Sequence, residues 1–440
     1  MAASEDAVDA NARADAFPFE RARDALLQWF ERCGRRFPWR DNPTPYRVWV
    51  SEIMLQQTTT QTALGYFERF LVRFPDPQSL ASASEEETLA LWQGLGYYRR
   101  AKALRNAAIE IMERFDGRVP DRLEDLTSLD GVGRYCAGAI LSFGFDLPFA
   151  ILEANTTRLH SRLVALELEP TRALSQRILW RFAQNWLPSE LAPRPENLCR
   201  KINAALTDLG RLVCQPSNPQ CLECPLANWC GANELGVQDR IPLLKKRAPI
   251  TPRVDVALWI SRADVAPPDA MKDAAPDDVL LIRRPEYALW AGLWDFPRFE
   301  VIDPAFKEGE RWRNDPELSD RLSLFLEEEI GALPAQYRPG ARLTLFRHSV
   351  TRYRIELSLC RLQNASPSVA APVQRGLFED VERILPSAPE LFQASEPTKK
   401  ELGKPLAKEW RWVPISALLD YPLSSTGFKI AQFIQKSALK

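Results

Sequence analysis

Apolar residues recur at intervals of three and four from about Phe19 to Asn233, as in Ala25, Leu26, Trp29 and Phe30 and again in Val48, Ile53 and Leu55. That period lines one face of successive helices. Ser84 stands before Glu85, Glu86 and Glu87, and Asp121 before Leu123 and Glu124. Each reads as a capping residue followed by acids in the first turn, where the helix dipole favours negative charge. No alternating strand pattern occurs here, so residues 19–240 are expected to form an all-α domain. The texture then changes. Residues 241–253 are basic and hold three prolines, which predicts an extended linker. Val254–Ile260 and Asp278–Ile282 alternate and are rich in β-formers. A helix is predicted near Arg321–Ile330, and strands near Arg342–Phe346 and Tyr353–Leu359. Residues 254–440 are therefore expected to be α+β, with a poorly ordered insertion at 386–408. Residues 1–18 are acidic and lack an apolar run, which predicts a disordered tail.

A chain of 440 residues is too long for one ordinary core, consistent with this division. No run of eighteen apolar residues exists, so no membrane span is expected. The amino terminus lacks the apolar core of a secretory signal. These features predict a reducing compartment: the cytoplasm, at the nucleoid of a bacterium, or the nucleus of a eukaryote. The net charge of −1 neither requires nor forbids a nucleic-acid partner, because basic residues can gather on one face. Arg35, Arg36 and Arg40 form one local cluster, and Arg99, Arg100, Lys102 and Arg105 another. Each reads as a solvated surface until a motif supports more.

Eight cysteines in a reducing compartment do not predict disulfides. Four of them, Cys214, Cys221, Cys224 and Cys230, have six, two and five residues between them. Four thiolates so close suit a soft metal or an iron–sulfur cluster. A structural zinc site normally uses two short pairs, and only one is present, so the spacing favours [4Fe–4S] over zinc. Upstream, Gly131-Val132-Gly133 lies between two predicted helices. Its glycines permit a tight turn onto a helix N-terminus, a place suited to a DNA phosphate.

The cysteine spacing resembles the iron–sulfur loop of the endonuclease III and MutY branch of helix-hairpin-helix DNA glycosylases. Pro38-Trp39-Arg40, Trp49–Thr58 (WVSEIMLQQT) and Trp92–Tyr98 (WQGLGYY) resemble, in order, the adenine-pocket segments of MutY-type adenine DNA glycosylases. The resemblance covers roughly residues 35–235. It implies a helix-hairpin-helix domain with a [4Fe–4S] loop at 214–230, acting on double-stranded DNA that holds a mispaired or damaged base. A monomer is expected, with no membrane partner.

Breaking the bond from adenine to its sugar requires protonation of the leaving base and negative charge near the developing sugar cation. Glu52, among Val50, Ile53, Met54 and Leu55, fits a carboxyl that keeps its proton by burial, and the resemblance gives it that role. The second acid is an aspartate in the family's leucine–aspartate–glycine–asparagine turn; here the turn reads Leu152-Glu153-Ala154-Asn155. The extra methylene of Glu153 moves the charge by about 1.5 Å if the backbone stays put. Ala154 resists the positive φ that glycine allows. Tyr135 stands where bifunctional relatives carry a lysine, which implies hydrolysis without strand cleavage. Asn155 is expected to hydrogen-bond nearby. Gln57, Leu95 and Tyr97 are candidates to wedge the duplex while the base is extruded, and Arg40 a candidate contact to adenine or phosphate.

In the second half, Leu289–Pro297 (LWAGLWDFP) resembles the tryptophan-rich motif of the Nudix-like MutY C-terminal domain, which reads 8-oxoguanine. Leu324 and Phe325 occupy positions where a Nudix hydrolase needs arginine and glutamate, so pyrophosphohydrolysis is not expected. Val350, Thr351 and Arg352 occupy the lesion-sensing loop, where the family carries phenylalanine, serine and histidine. The leading expectation is a monofunctional glycosylase that removes adenine opposite 8-oxoguanine or guanine. Open alternatives are altered lesion specificity, a catalytically weak or inactive lesion-binding homologue, and a zinc-stabilised DNA-binding module.

Overall fold

Thr44, Thr59, Asp76 and Ser84 each turn a side-chain oxygen onto a backbone N–H of the helix that begins one residue later. Each satisfies a donor that has no partner within its helix. The computed structural model describes residues 2–189, 193–243, 249–265, 275, 277–285, 287–332, 335, 337–350, 352–364, 406–407 and 409–438. The chain divides into two compact units, Met1–Arg247 and Ala248–Lys440.

The first unit is helical. Its helices are α1 (Ala2–Asp15), α2 (Phe19–Cys33), α3 (Pro38–Asp41), α4 (Pro45–Leu55), α5 (Thr60–Arg73), α6 (Pro77–Ala81), α7 (Glu85–Trp92), α8 (Arg99–Arg114), α9 (Leu123–Thr127), α10 (Arg134–Ala139), α11 (Ala154–Leu163), α12 (Ala173–Asn185), α13 (Leu198–Leu212) and α14 (Gly231–Leu235). A π-helical segment, Ile140–Gly144, continues α10. One core gathers α1, α2, α11, α12 and α13 around Leu26, Leu159, Phe182, Trp186 and Leu209. Trp49, Phe67, Phe70 and Trp92 are fully buried where α4, α5 and α7 meet. Two glycines set the segment between α10 and α11. A β-carbon on Gly138 would lie 2.6 Å from the Ala150 carbonyl oxygen, and one on Gly210 2.8 Å from that of Asn155. Neither backbone could approach so closely past a larger residue.

Two local expectations are overturned. The amino-terminal segment is a helix, not a disordered tail. Ala7, Ala10 and Ala14 are buried at 4%, 1% and 2% exposure, Arg13 pairs with Glu234 at 2.6 Å, and Asp15 pairs with Arg181 at 3.0 Å. Its buried face is made of alanines, which pack closely while contributing little hydrophobic signal. Asp121 caps nothing: α9 follows Arg122 and has no side-chain cap.

The second unit contains β1 (Thr251–Trp259), α15 (Arg262–Val265), β2 (Val279–Arg283), β3 (Trp294–Asp295), β4 (Arg298–Glu300), α16 (Pro316–Leu324), β5 (Tyr337–Val350), β6 (Tyr353–Asn364), β7 (Glu409–Val413) and α17 (Ser425–Ala438). One sheet has the order β4-β1-β6-β5 and the other β3-β2-β7. β1 runs parallel to β6 and antiparallel to β4. Its alternating side chains feed two cores, Val256 and Leu258 one, Ala257 and Trp259 the other. β1 starts inside the stretch expected to be linker, of which residues 244–248 lie outside the described residues. The insertion expected at 386–408 also lies outside them, apart from Leu406 and Ala407.

Candidate active site

Tyr46 to Met54 of α4 are buried, apart from the half-exposed Arg47, so its one acid enters the interior. Glu52 is 7% exposed. It lines a cavity of about 840 Å³ together with Trp39, Arg40, Tyr135, Glu153 and Asn155, large enough for an extruded base. Burial pushes the Glu52 carboxyl up to about 7. The hydrogen bond from Tyr135 and the charge of Arg40 oppose that push, and the charge of Glu153 adds to it. Burial, then the charge of Glu52, hold the Tyr135 phenol well above its usual range. The phenol keeps its proton and donates to Glu52 Oε2 at 2.6 Å.

Glu153 is the N-cap of α11, with φ −120° and ψ −176°. Its Oε2 accepts from the Asn155 backbone N–H at 2.8 Å and from Asn155 Nδ2 at 3.1 Å, and its Oε1 accepts from the Thr156 N–H at 2.9 Å. The Thr156 hydroxyl accepts in return from the Glu153 N–H at 2.9 Å, completing a capping box. Donors of the α11 N-terminus thus hold both oxygens of the Glu153 carboxylate. Ala154 is the first residue of α11, so the positive φ that would strain it is not needed. Asn155 Oδ1 accepts from Arg158 Nη2 at 3.0 Å, and Arg158 donates onward to the carbonyls of Gly210 at 2.6 Å and Cys214 at 2.8 Å.

Arg40 faces the cavity but is already paired. Its two terminal nitrogens donate to both oxygens of Asp208, at 2.8 and 3.0 Å, and Asp208 is 2% exposed. The surface reading of the two basic clusters fails at Arg40 and at Arg100, which is 9% exposed. Sequence reasoning missed Asp208, Arg158 and the role of Arg100. Asp208 sits on α13 at the spacing 200, 204, 208 and 211, four residues that all line the cavity, so the helical period alone would have placed it there.

Gly131 has φ +71°, and a β-carbon on it would lie 2.7 Å from that of Ala103. Gly131 and Gly133 are exposed while Val132 is buried, the form expected of the hairpin. Of the three wedge candidates, Gln57 and Tyr97 are exposed and both hold positive φ, 55° and 48°. Such conformations cost about 1–3 kcal/mol each and collect at functional sites. Leu95 is corrected to a core residue, at 6% exposure.

Cys214, Cys221, Cys224 and Cys230 line one small cavity. Among the described residues, no group of three or more His, Cys, Asp or Glu side chains is placed to hold a metal ion. Arg162, 2% exposed, donates to Cys214 Sγ at 3.3 Å and to the carbonyls of Gln215 at 2.7 Å and Ile241 at 2.9 Å.

In the second unit, Val350 ends β5, and Thr351 lies outside the described residues. Arg352 donates to the Tyr353 hydroxyl at 3.2 Å and lies over its ring. His348 meets Arg298 at 3.4 Å; burial, then the charge of Arg298, lower it to about 4. Phe325 packs in the core against Phe299, so no Nudix carboxylate stands there.

Residues 50–185 match the family model of the HhH-GPD superfamily base excision DNA repair protein. The adenine DNA glycosylase of Mus musculus is 33% identical over 396 residues, covering 81% of this chain and 73% of the relative. That of Buchnera aphidicola subsp. Schizaphis graminum is 34% identical over 277 residues, covering 63% and 74%. The Homo sapiens enzyme is 33% identical over 377 residues, covering 76% and 66%. The chain is a member of the adenine DNA glycosylase family of helix-hairpin-helix base excision repair proteins.

Proposed function

We propose that this chain hydrolyses the N-glycosidic bond of adenine opposite 8-oxoguanine or guanine in double-stranded DNA. One observation carries the reading: a buried carboxyl with a pKa of about 7 and a second carboxylate line one base-sized cavity. Glu52 holds the proton that passes to N7 of the extruded adenine, so the base leaves neutral. Glu153 holds negative charge near the sugar as positive charge develops on its ring. Water then completes hydrolysis at the anomeric carbon. Tyr135 has no amine to form a Schiff base, so the strand stays intact. Asn155 and the α11 N–H groups fix Glu153. Gln57 and Tyr97 fill the space that the base vacates, and the turn at Gly131-Val132-Gly133 takes a backbone phosphate. The lesion-facing role falls to Val350, Thr351 and Arg352, and an arginine side chain can donate to guanine O6 or N7.

The four cysteines fit a [4Fe–4S] cluster, because their four soft thiols line one cavity, which Arg162, Gln220, Asn233 and Gln238 also border. Cys214, Cys221, Cys224 and Cys230 would hold it. When bound it would supply a structural tie between the end of α13 and the segment 221–230. Among the described residues no helix is long and apolar enough to cross a membrane.

Single-turnover release of adenine from duplexes with A opposite 8-oxoguanine, guanine or thymine tests the reading. Strand breaks should appear at adenine only after alkali, fastest opposite 8-oxoguanine. Equal absence of release from all three duplexes would refute it. A second reading, binding without excision, draws on the three donors that already occupy both Glu153 oxygens. Tight binding, with release no faster than in Glu52→Gln, would favour it.

A further inference from the structure

The carbonyls of Ile53, Met54 and Gln56 lie at the C-terminal end of α4, where helical carbonyls lack partners within the helix. Arg100, from the first turn of α8, supplies donors to all three. Its Nη1 donates to Ile53 O and Met54 O, each at 2.9 Å, and also to Gln56 O. Its Nη2 donates to the Thr58 hydroxyl at 3.1 Å and turns to the second segment, reaching Gly96 O at 3.0 Å and Leu95 O at 3.4 Å. Nε reaches Tyr97 O at 3.4 Å. The guanidinium also lies 5.5 Å from the ring centres of both Trp92 and Tyr97. One side chain thus joins two stretches about forty residues apart, and each stretch carries one exposed residue in a left-handed conformation, Gln57 and Tyr97. Such backbones persist only where their surroundings over-determine them. A planar fork with five donors can serve two segments at once, whereas an ammonium group is a single point charge.

We propose that Arg100 is a positioning residue for base extrusion: it clamps the end of α4 to the 94–97 turn, so that Gln57 and Tyr97 stand as one preformed wedge. The clamp rests on the base-extrusion part of the proposed function. It acts through the two wedge residues and touches neither the adenine nor the sugar.

The test places 2-aminopurine at the target position of a duplex and reads its fluorescence, which rises on unstacking, at saturating protein. Arg100→Lys is expected to lose about two thirds or more of the wild-type rise, with a smaller change in DNA affinity. The same exchange made in a Gln57→Ala/Tyr97→Ala background should add little, because the clamp works only through those side chains. A wild-type rise in Arg100→Lys, or a full additional loss in that background, overturns the proposal. If Arg100→Lys fails to fold by circular dichroism, Thr58→Val serves instead, since it removes one acceptor and leaves the arginine in place. A partial loss in Thr58→Val supports the clamp, and an unchanged rise overturns it. A wild-type chain that raises no fluorescence overturns both extrusion and clamp. One that raises it yet releases no adenine overturns only the catalytic reading.

Discussion

Glu52 and Asp255 are both interior acids, one in each unit, and they behave in opposite ways. Burial should push both carboxyls up. For Asp255 the charges of Arg298 and Arg253, each donating Nε at 2.7 Å, outweigh burial and hold it below the usual range. For Glu52 burial prevails and the value rises to about 7. The difference lies in where the nearest cation is spent. Arg40 faces the same cavity as Glu52, but both its terminal nitrogens are taken by Asp208. An acid given two guanidiniums ties neighbouring strands of one sheet; an acid whose cation is diverted keeps a proton it can donate.

The largest break in this comparison is Glu52→Gln, which removes the transferable proton. Single-turnover adenine release should fall about 100- to 10,000-fold. Stability should move the other way. Because the folded-state pKa of Glu52 is raised from 4.5 to about 7, the folded protein binds the extra proton between those values. Its stability therefore declines as pH rises through that window, and Glu52→Gln escapes the decline. Thermal unfolding at pH 8 should show Glu52→Gln more stable, by on the order of 2 kcal/mol.

Asp255→Ala removes the carboxylate hydrogen-bonded to buried Arg298, leaving only Asp295 at 3.9 Å, and should destabilise the second unit by about 3 kcal/mol, measured by calorimetry. The wild-type pair contributes stability that is present above the unfolded carboxyl pKa of about 4 and is lost as pH falls through the lower folded value. The two acids thus give opposite slopes of stability against pH.

Asp208→Asn sharpens the comparison. It frees Arg40 to act on Glu52, lowering the carboxyl pKa. The pH at which adenine release begins to decline should move down by about one unit. The smallest effect belongs to Glu153→Asp. The helix N-terminus holds the charge, and aspartate is an equally good cap, so release should change by less than about tenfold. A loss beyond about 100-fold would mean that side-chain length, not the helix, positions the charge.

Much of this site was legible in the sequence. Glu52 amid apolar neighbours and Tyr135 after the glycine turn line one cavity, and the four cysteines line another. The residues that organise them were hidden for physical reasons. Arg100 and Arg158 bond to backbone carbonyls, which carry no sequence signature, so each looked like an ordinary basic residue on a helix. Asp208 works through Arg40, about 170 positions away, and a single sequence does not show that pairing. Ala154 was misjudged because its neighbour's role was inferred from a glycine turn, whereas the chain begins a helix there. In the second unit β1, β2, β5 and β6 were legible from their strand pattern, but the short β3, β4 and β7 were not, nor was the order, because β1 pairs with β6 across almost one hundred residues.

The most direct test of the central claim is the pH dependence of single-turnover adenine release, followed from pH 5 to 9. The account predicts a rate that is level in acid and falls tenfold per unit above about pH 7 as Glu52 loses its proton, with no such limb in Glu52→Gln. A wild-type rate that stays flat across the range would contradict it.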